Sequence, residues 1–119
     1  FFFFLFFSAT QLFAQLGEAT FSRDESKKNS IQQDIVSCDL LIIDDLGTEL
    51  INAFVATSLF TCLNERHLQK KSTIISTNLS LNDLRDKYSE RISSRISLNY
   101  KIIKLYGDDI RVKKRLSLI

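Results

Sequence analysis

Two adjacent carboxylates, Asp44 and Asp45, end an unbroken run of branched apolar residues, Leu40-Leu41-Ile42-Ile43, and Leu46-Gly47 follows them. Four consecutive large apolar side chains without alternation suit a strand buried on both faces, as in a parallel sheet with helices on either side. The acids then stand at the carboxyl end of that strand, where ligands bind in open α/β sheets. Neighbouring strand positions face opposite ways, so the two acids are expected to take separate tasks. The pattern suits phosphoryl chemistry, with Asp44 holding the water shell of a Mg²⁺ and Asp45 orienting or activating an attacking water. A buried strand that merely ends in an acidic turn has the same sequence. The rest of the chain must separate the two readings.

A second short β-branched run, Ser72-Thr73-Ile74-Ile75-Ser76-Thr77, ends in the amide of Asn78. Between the two runs, residues 52–69 carry Phe54, Val55, Leu59, Phe60 and Leu63 at helical intervals. They close on Gln69-Lys70-Lys71, cations suited to a helix C-terminus. Two strands joined by a helix form a right-handed βαβ unit, which brings the carboxylates and the amide to the same edge of the sheet. The first run then fits a Walker B element. Residues 89–96 predict a further helix, with Ile92 and Ile96 on one face and Arg91 and Arg95 on an adjacent one. An arginine pair at this spacing is commonly no more than a solvated face.

Other elements must position these groups. Residues 1–7, six of them Phe, predict a buried strand. The apolar core of a signal peptide competes with that reading, and the lack of a preceding basic segment or any Met stands against it. The run is too short to cross a membrane as a helix. Residues 9–21 place Leu12, Phe13, Leu16, Thr20 and Phe21 at helical spacing, with Ser8 or Thr10 as a cap. Residues 22–30 are polar and charged and predict an exposed loop, and residues 31–37 a helical turn or two. Ser80, with Asp83 three residues on, opens another helix. Residues 100–106 predict a last strand, and residues 107–115 a charged tail.

The net charge of +2 does not mark a nucleic-acid binder. Cys38 and Cys62 are too few for a disulfide framework and are expected as buried free thiols in a reducing compartment. His67 has no metal-ligand partner at useful spacing and reads as a surface histidine. With three glycines, the 119 residues contain no G-x-x-x-x-G-K-[ST] phosphate loop. That, with the absence of Met, predicts the later part of something longer, forming one domain or part of one.

Taken in order, Cys38-Asp39-Leu40 through Gly47-Thr48-Glu49, then Asn64-Glu65-Arg66, then Thr73 through Asn78, then Ser89-Glu90-Arg91 through Arg95, then Gly107-Asp108-Asp109-Ile110-Arg111 resemble one family. It is the AAA+ ATPase domain of bacterial helicase loaders of the DnaC/DnaI type and their close relative, the IstB transposition helper. The resemblance covers about residues 10–114, and several motifs in the right order are more specific than any one of them. It implies an α/β fold over residues 1–119: a partial AAA+ P-loop NTPase domain, mainly parallel sheet flanked by helices, missing the Walker A strand. It implies ATP and Mg²⁺ as cofactors of the intact protein, with Asp44 beside the metal, bound through water. Asp45 would hold the catalytic-base position, where many relatives carry the longer Glu. Asn78 matches sensor 1, Arg95 the arginine finger that reaches a neighbouring subunit's nucleotide, and Arg111 sensor 2; Arg91 is a weaker match.

The implied activity is ATP-dependent loading of a replicative helicase onto DNA in the cytoplasm. The implied partners are the helicase, single-stranded DNA and neighbouring copies, without a membrane. Lys113, Lys114 and Arg115 are candidates for phosphate contact, although no aromatic-basic platform is evident. Two alternatives are an IstB-like transposition helper and a truncated, nucleotide-free module that binds a helicase or transposase. In this family the strand feeding the phosphate loop lies between the sensor 1 strand and the final strand. Without it, residues 100–106 would lack their usual neighbour. The chain alone is then expected to be poorly stable and to bind ATP weakly.

Overall fold

The computed structural model describes residues 2–21 and 25–117. In chain order the elements are β1 (Phe4–Ser8), α1 (Ala9–Phe21), α2 (Glu25–Ser37), β2 (Leu40–Leu46), α3 (Ala53–Leu68), β3 (Ser72–Thr77), α4 (Leu81–Lys87), α5 (Glu90–Asn99) and α6 (Ile110–Ser117). The three strands are all parallel and lie in the order β1-β2-β3, so the acidic strand is central.

The register decides which side chains share a face. Leu5, Leu41 and Thr73 are direct partners, as are Phe7, Ile43 and Ile75, and these six form one face. That face is the core, where Leu41 and Ile43 meet Leu12, Phe13 and Leu16 of α1 and Val55, Leu59 and Leu63 of α3. Burying a Leu or Ile fully is worth about 1.5–3 kcal/mol, whereas an exposed ion pair is worth at most about 1 kcal/mol. Leu12, Leu41, Ile43, Leu59 and Ile92, each 0% exposed, therefore outweigh surface pairs such as Arg85–Asp86 in holding the fold. Phe4, Phe6, Leu40, Ile42 and Ile74 form the opposite face, and there Phe4 and Phe6 are 57% exposed and Ile74 53%. The expectation of a strand buried on both faces is corrected: one face is closed and the other only half covered.

Helix ends follow local chemistry. The Asn52 side chain accepts the Val55 N–H at 2.9 Å, which starts α3. Ser80 and Asp83 form the expected reciprocal capping box of α4, and Ser89 caps α5 through the Ile92 N–H. Arg66, fully buried on α3, ties the layers together. Its guanidinium donates to the carbonyls of Ile35, Val36, Cys38 and Ser72 and to Thr73 Oγ1. It thus joins the end of α2 to the starts of β2 and β3. Cationic donors suit the carbonyls at a helix C-terminus.

Three expectations need correction. The polar stretch read as a loop over residues 22–30 is helical from Glu25, and α2 runs unbroken to Ser37; residues 22–24 lie outside the described residues. Phe21 is 75% exposed and meets Phe54 instead of entering the core, and Ala9 and Ala19 are the buried residues that complete the inner face of α1. The strand expected over residues 100–106 is absent. The Tyr100 N–H bonds back to Ile96 O, and residues 101–109 have no regular structure. Leu105 is 90% and Tyr106 88% exposed. A strand needs a neighbour for its N–H and C=O groups, and among the described residues no strand pairs with residues 101–109. Regular structure returns only at α6, within the charged tail.

Cys38 and Cys62 are buried free thiols, and His67 is exposed, as expected. Among the described residues no helix is long and apolar enough to cross a membrane.

Candidate functional site

The two acids sit on an irregularity of the sheet. Ile43 pairs with Ile75 and Leu46 with Thr77, so Asp44 and Asp45 together oppose the single residue Ser76. Two residues against one is a β-bulge, a feature that recurs beside active sites and re-aims side chains. Asp45 carries the left-handed backbone of the bulge, at φ 56°. Asp is among the few residues that tolerate this conformation. The bulge also resets the alternation, so that Leu41, Ile43 and then Leu46 are buried while Asp45 is exposed. The inference that the acids must face opposite ways rested on an unbroken strand, and the bulge removes its basis.

The Ser76 hydroxyl spans the bulge. It accepts the Asp45 N–H at 3.0 Å and donates to Asp44 Oδ1 at 2.6 Å. Asp44 Oδ2 has no hydrogen-bond partner among the described residues. Beyond the acids the loop is fixed at several points. Thr48 donates its backbone N–H and its hydroxyl to Asp45 O, and the Glu49 carboxylate accepts the Gly47 N–H at 2.9 Å. Glu49 also accepts the Tyr88 hydroxyl. Burial, and then that contact with a carboxylate, push the Tyr88 phenol well above its ordinary range. Gly47 has φ +105°, and a Cβ there would come within 2.5 Å of Leu79 Cδ1. Only glycine lets this loop pass so close to the residue that follows Asn78.

Asn78 is exposed and one residue beyond Thr77, the partner of Leu46, so it shares the sheet edge with the acids. Arg111 on α6 forms a two-point pair with Asp109, Nη2 to Oδ2 at 3.0 Å and Nε to Oδ1 at 3.1 Å. That pair raises the arginine's pKa and lowers the aspartate's, and the charge of Asp45 adds a smaller contribution to Arg111. Arg111 is thus within the electrostatic reach of Asp45, although Asp109 engages it. Arg95 lies on α5, against α3. Its guanidinium lies 5.7 Å and that of Arg91 4.0 Å from the centroid of the Phe60 ring on α3. Neither has a carboxylate partner among the described residues. Phe60, read from sequence as part of the core stripe, is a half-buried platform for two cations.

The edge therefore gathers Asp44, Asp45 and Asn78, with Arg111 in range, while Arg95 stands over Phe60 on α3. Among the described residues no group of three or more His, Cys, Asp or Glu could hold a metal unaided. Mg²⁺ does not require one. It keeps several waters and is held by one or two carboxylates together with phosphate oxygens. The free Oδ2 of Asp44 and the exposed Asp45 fit that mode. The sequence contains no phosphate loop of the form G-x-x-x-x-G-K-[ST] to cradle the phosphates.

The family model described as "IstB-like ATP binding protein" matches residues 2–117. No curated protein sequence matches the chain significantly. Among solved structures, the chain is similar to the DnaC helicase loader, at 24% identity and TM-score 0.70, over 82% of this chain and 58% of that one. It is also similar to AMPPCP-bound DnaA from Aquifex aeolicus, at 21% identity and TM-score 0.72, over 98% of this chain and 37% of that one. A replication initiator DnaA bound to AMPPCP and single-stranded DNA matches at 21% identity and TM-score 0.66, over 98% and 36%. The chain thus spans 58% of the DnaC structure and little more than a third of each DnaA, and at these identities the likeness shows the fold alone, parallel strands flanked by helices.

Proposed function

This chain belongs to the IstB-like ATP binding protein family, and from that premise we propose that it supplies the magnesium- and water-handling side of an AAA+ ATP site. The observation that carries this reading is the sheet edge where bulged Asp44 and Asp45 stand beside Asn78. Asp44 would hold the magnesium's water shell through Oδ2, which has no partner among the described residues, and the metal would supply charge neutralisation of the phosphates. Asp45 takes a proton from, or orients, the attacking water, and the Asn78 amide fixes that water's position. Arg111 meets the nucleotide in cis as sensor 2 once it leaves Asp109. The phosphate cradle comes from chain outside these residues, which make up part of one ATPase domain.

Arg95 acts on a neighbouring copy. It is exposed, has no acidic partner among the described residues and stands over Phe60 of α3, open to a neighbouring copy. The biological activity is ATP-dependent loading of a replicative helicase onto single-stranded DNA in the cytoplasm, by self-associated copies. The similarity to the DnaC helicase loader supports it. The family description favours a second reading, an ATPase helper of a transposase.

Two assays test the proposal on the protein that carries this chain. Arg95→Ala and Asp45→Asn subunits should each fail to hydrolyse ATP, and a mixture should regain activity, because an intact arginine then faces an intact base at some interfaces. A mixture as inactive as its components overturns action in trans. ATP-dependent deposition of a replicative helicase on single-stranded DNA supports the loader, and stimulation of a transposase without such deposition replaces it with the helper.

A further inference from the structure

Ser76 has no role of its own in the sequence motifs, where it is one residue of the second strand, yet among the described residues its hydroxyl is the only side-chain group that touches both halves of the acidic bulge. A serine hydroxyl has one proton to give and two lone pairs to receive with. Here the proton goes to Asp44 Oδ1 at 2.6 Å and a lone pair takes the Asp45 N–H at 3.0 Å. The accepted N–H belongs to the residue held at φ 56°, so the bond offsets the cost of a left-handed backbone at a non-glycine position. The donated bond occupies one carboxylate oxygen of Asp44 and leaves Oδ2 without a partner among the described residues. A carboxylate pinned at one oxygen and open at the other is pre-oriented toward a cation.

We propose that Ser76 is a positioning residue for divalent-cation binding: its hydroxyl locks the Asp44–Asp45 bulge and aims the free oxygen of Asp44 at the metal's water shell. The inference rests on the magnesium role proposed for Asp44. Partners one step removed from a metal orient its ligands, and their loss typically costs about 10–100-fold in metal affinity. The position tolerates the substitutions that isolate the hydroxyl, because Ser76 is exposed and lies on a strand. Thr and Val are both β-branched and strand-compatible, and they differ in having a hydroxyl or a methyl at the same place.

The experiment compares Ser76→Thr and Ser76→Val in the full chain by amide NMR, with Mn²⁺ as the probe. Ser76→Val should speed hydrogen exchange at the Asp45 amide by about tenfold, the loss of one hydrogen bond. It should also raise the Mn²⁺ concentration that half-broadens the Asp44 and Asp45 amide signals by about tenfold or more. Ser76→Thr should behave as the parent in both. The proposal is overturned if Ser76→Val leaves the Mn²⁺ midpoint unchanged, including the case where only exchange accelerates, since Ser76 would then be a structural clamp. It is equally overturned if Thr fails to restore the midpoint. Neither readout uses ATP, so failure of the ATPase reading in the subunit-mixing assay is a separate result.

Discussion

Arg66 offers a quantitative test of how the layers are joined. Its guanidinium is 0% exposed and has no carboxylate partner among its contacts. Its charge is met by neutral acceptors: four carbonyls, Thr73 Oγ1 and Cys38 Sγ. Arg66→Met preserves an apolar stem and removes every donor. The bonds to Ile35 O and Cys38 O are fully buried, while those to Val36, Ser72 and Thr73 lie where water can reach. An acceptor left unsatisfied in a buried place costs about 1–3 kcal/mol, so two such losses amount to about 2–6 kcal/mol. Domain stabilities lie at about 5–15 kcal/mol, so a loss near the upper figure would cancel the whole of a weak fold. Arg66→Lys, with one ammonium for several acceptors, should fall between the parent and Met. Urea unfolding followed by circular dichroism measures the differences. Equal midpoints and slopes for the Met variant and the parent, within about 1 kcal/mol, would refute the assignment of Arg66 as the clamp between α2, β2 and β3.

Three further outcomes are expected. Burial pushes the Cys62 thiol up to about 12, against a smaller opposing effect of Arg66. At pH 8, peptide mapping should therefore find Cys62 modified by a thiol reagent no faster than the chain unfolds, and stoichiometric labelling of the native chain would contradict it. Hydrogen bonds hold Asp39, Asp83 and Asp109 below the ordinary carboxylate range, from the Phe3 N–H, from Ser80 and from Arg111 respectively. Their folded pKa values lie below the unfolded ones. The stability they contribute is complete above the unfolded value of about 4 and is lost as pH falls below it. Urea midpoints measured from pH 6 to pH 3 should fall, and less steeply in Asp39→Asn and Asp83→Asn; an identical slope would refute the assignment. On the half-covered sheet face, Phe6→Thr and Ile74→Thr should lower binding of an apolar dye while changing stability by no more than about 0.5–1 kcal/mol. Undiminished dye binding would locate the exposed apolar surface elsewhere.

The β-branched composition of residues 72–77 and the apolar run before Asp44 made two parallel strands and their shared edge legible, because such side chains favour a strand, although their burial was overread: β3 is half-covered at most and β2 is buried on one face. Ser80 and Asp83 announced a cap for the same reason: the hydrogen bonds are local. Features that depend on distant partners were not legible. The bulge has no glycine to mark it, and the group that receives its Asp45 N–H, Ser76, lies on another strand. Residues 100–106 have the composition of a strand and lack a neighbour to pair with, and composition says nothing of neighbours. The polar residues from Glu25 onward resemble a loop, and their low apolar content hid a helix that Ile35 anchors from its far end. Arg66 was visible only as part of a family resemblance, since a buried cation leaves no trace in periodicity.

The central claim is that Asp45 serves the attacking water of an ATP site. It is tested most directly by steady-state ATP hydrolysis and nucleotide binding by the protein that carries this chain, with and without Asp45→Asn. Loss of a general base predicts a kcat lower by about 10²–10⁴-fold, with ATP still bound at close to the parental affinity. Hydrolysis by Asp45→Asn at the parental rate would contradict the assignment of the bulged acid pair as the catalytic edge.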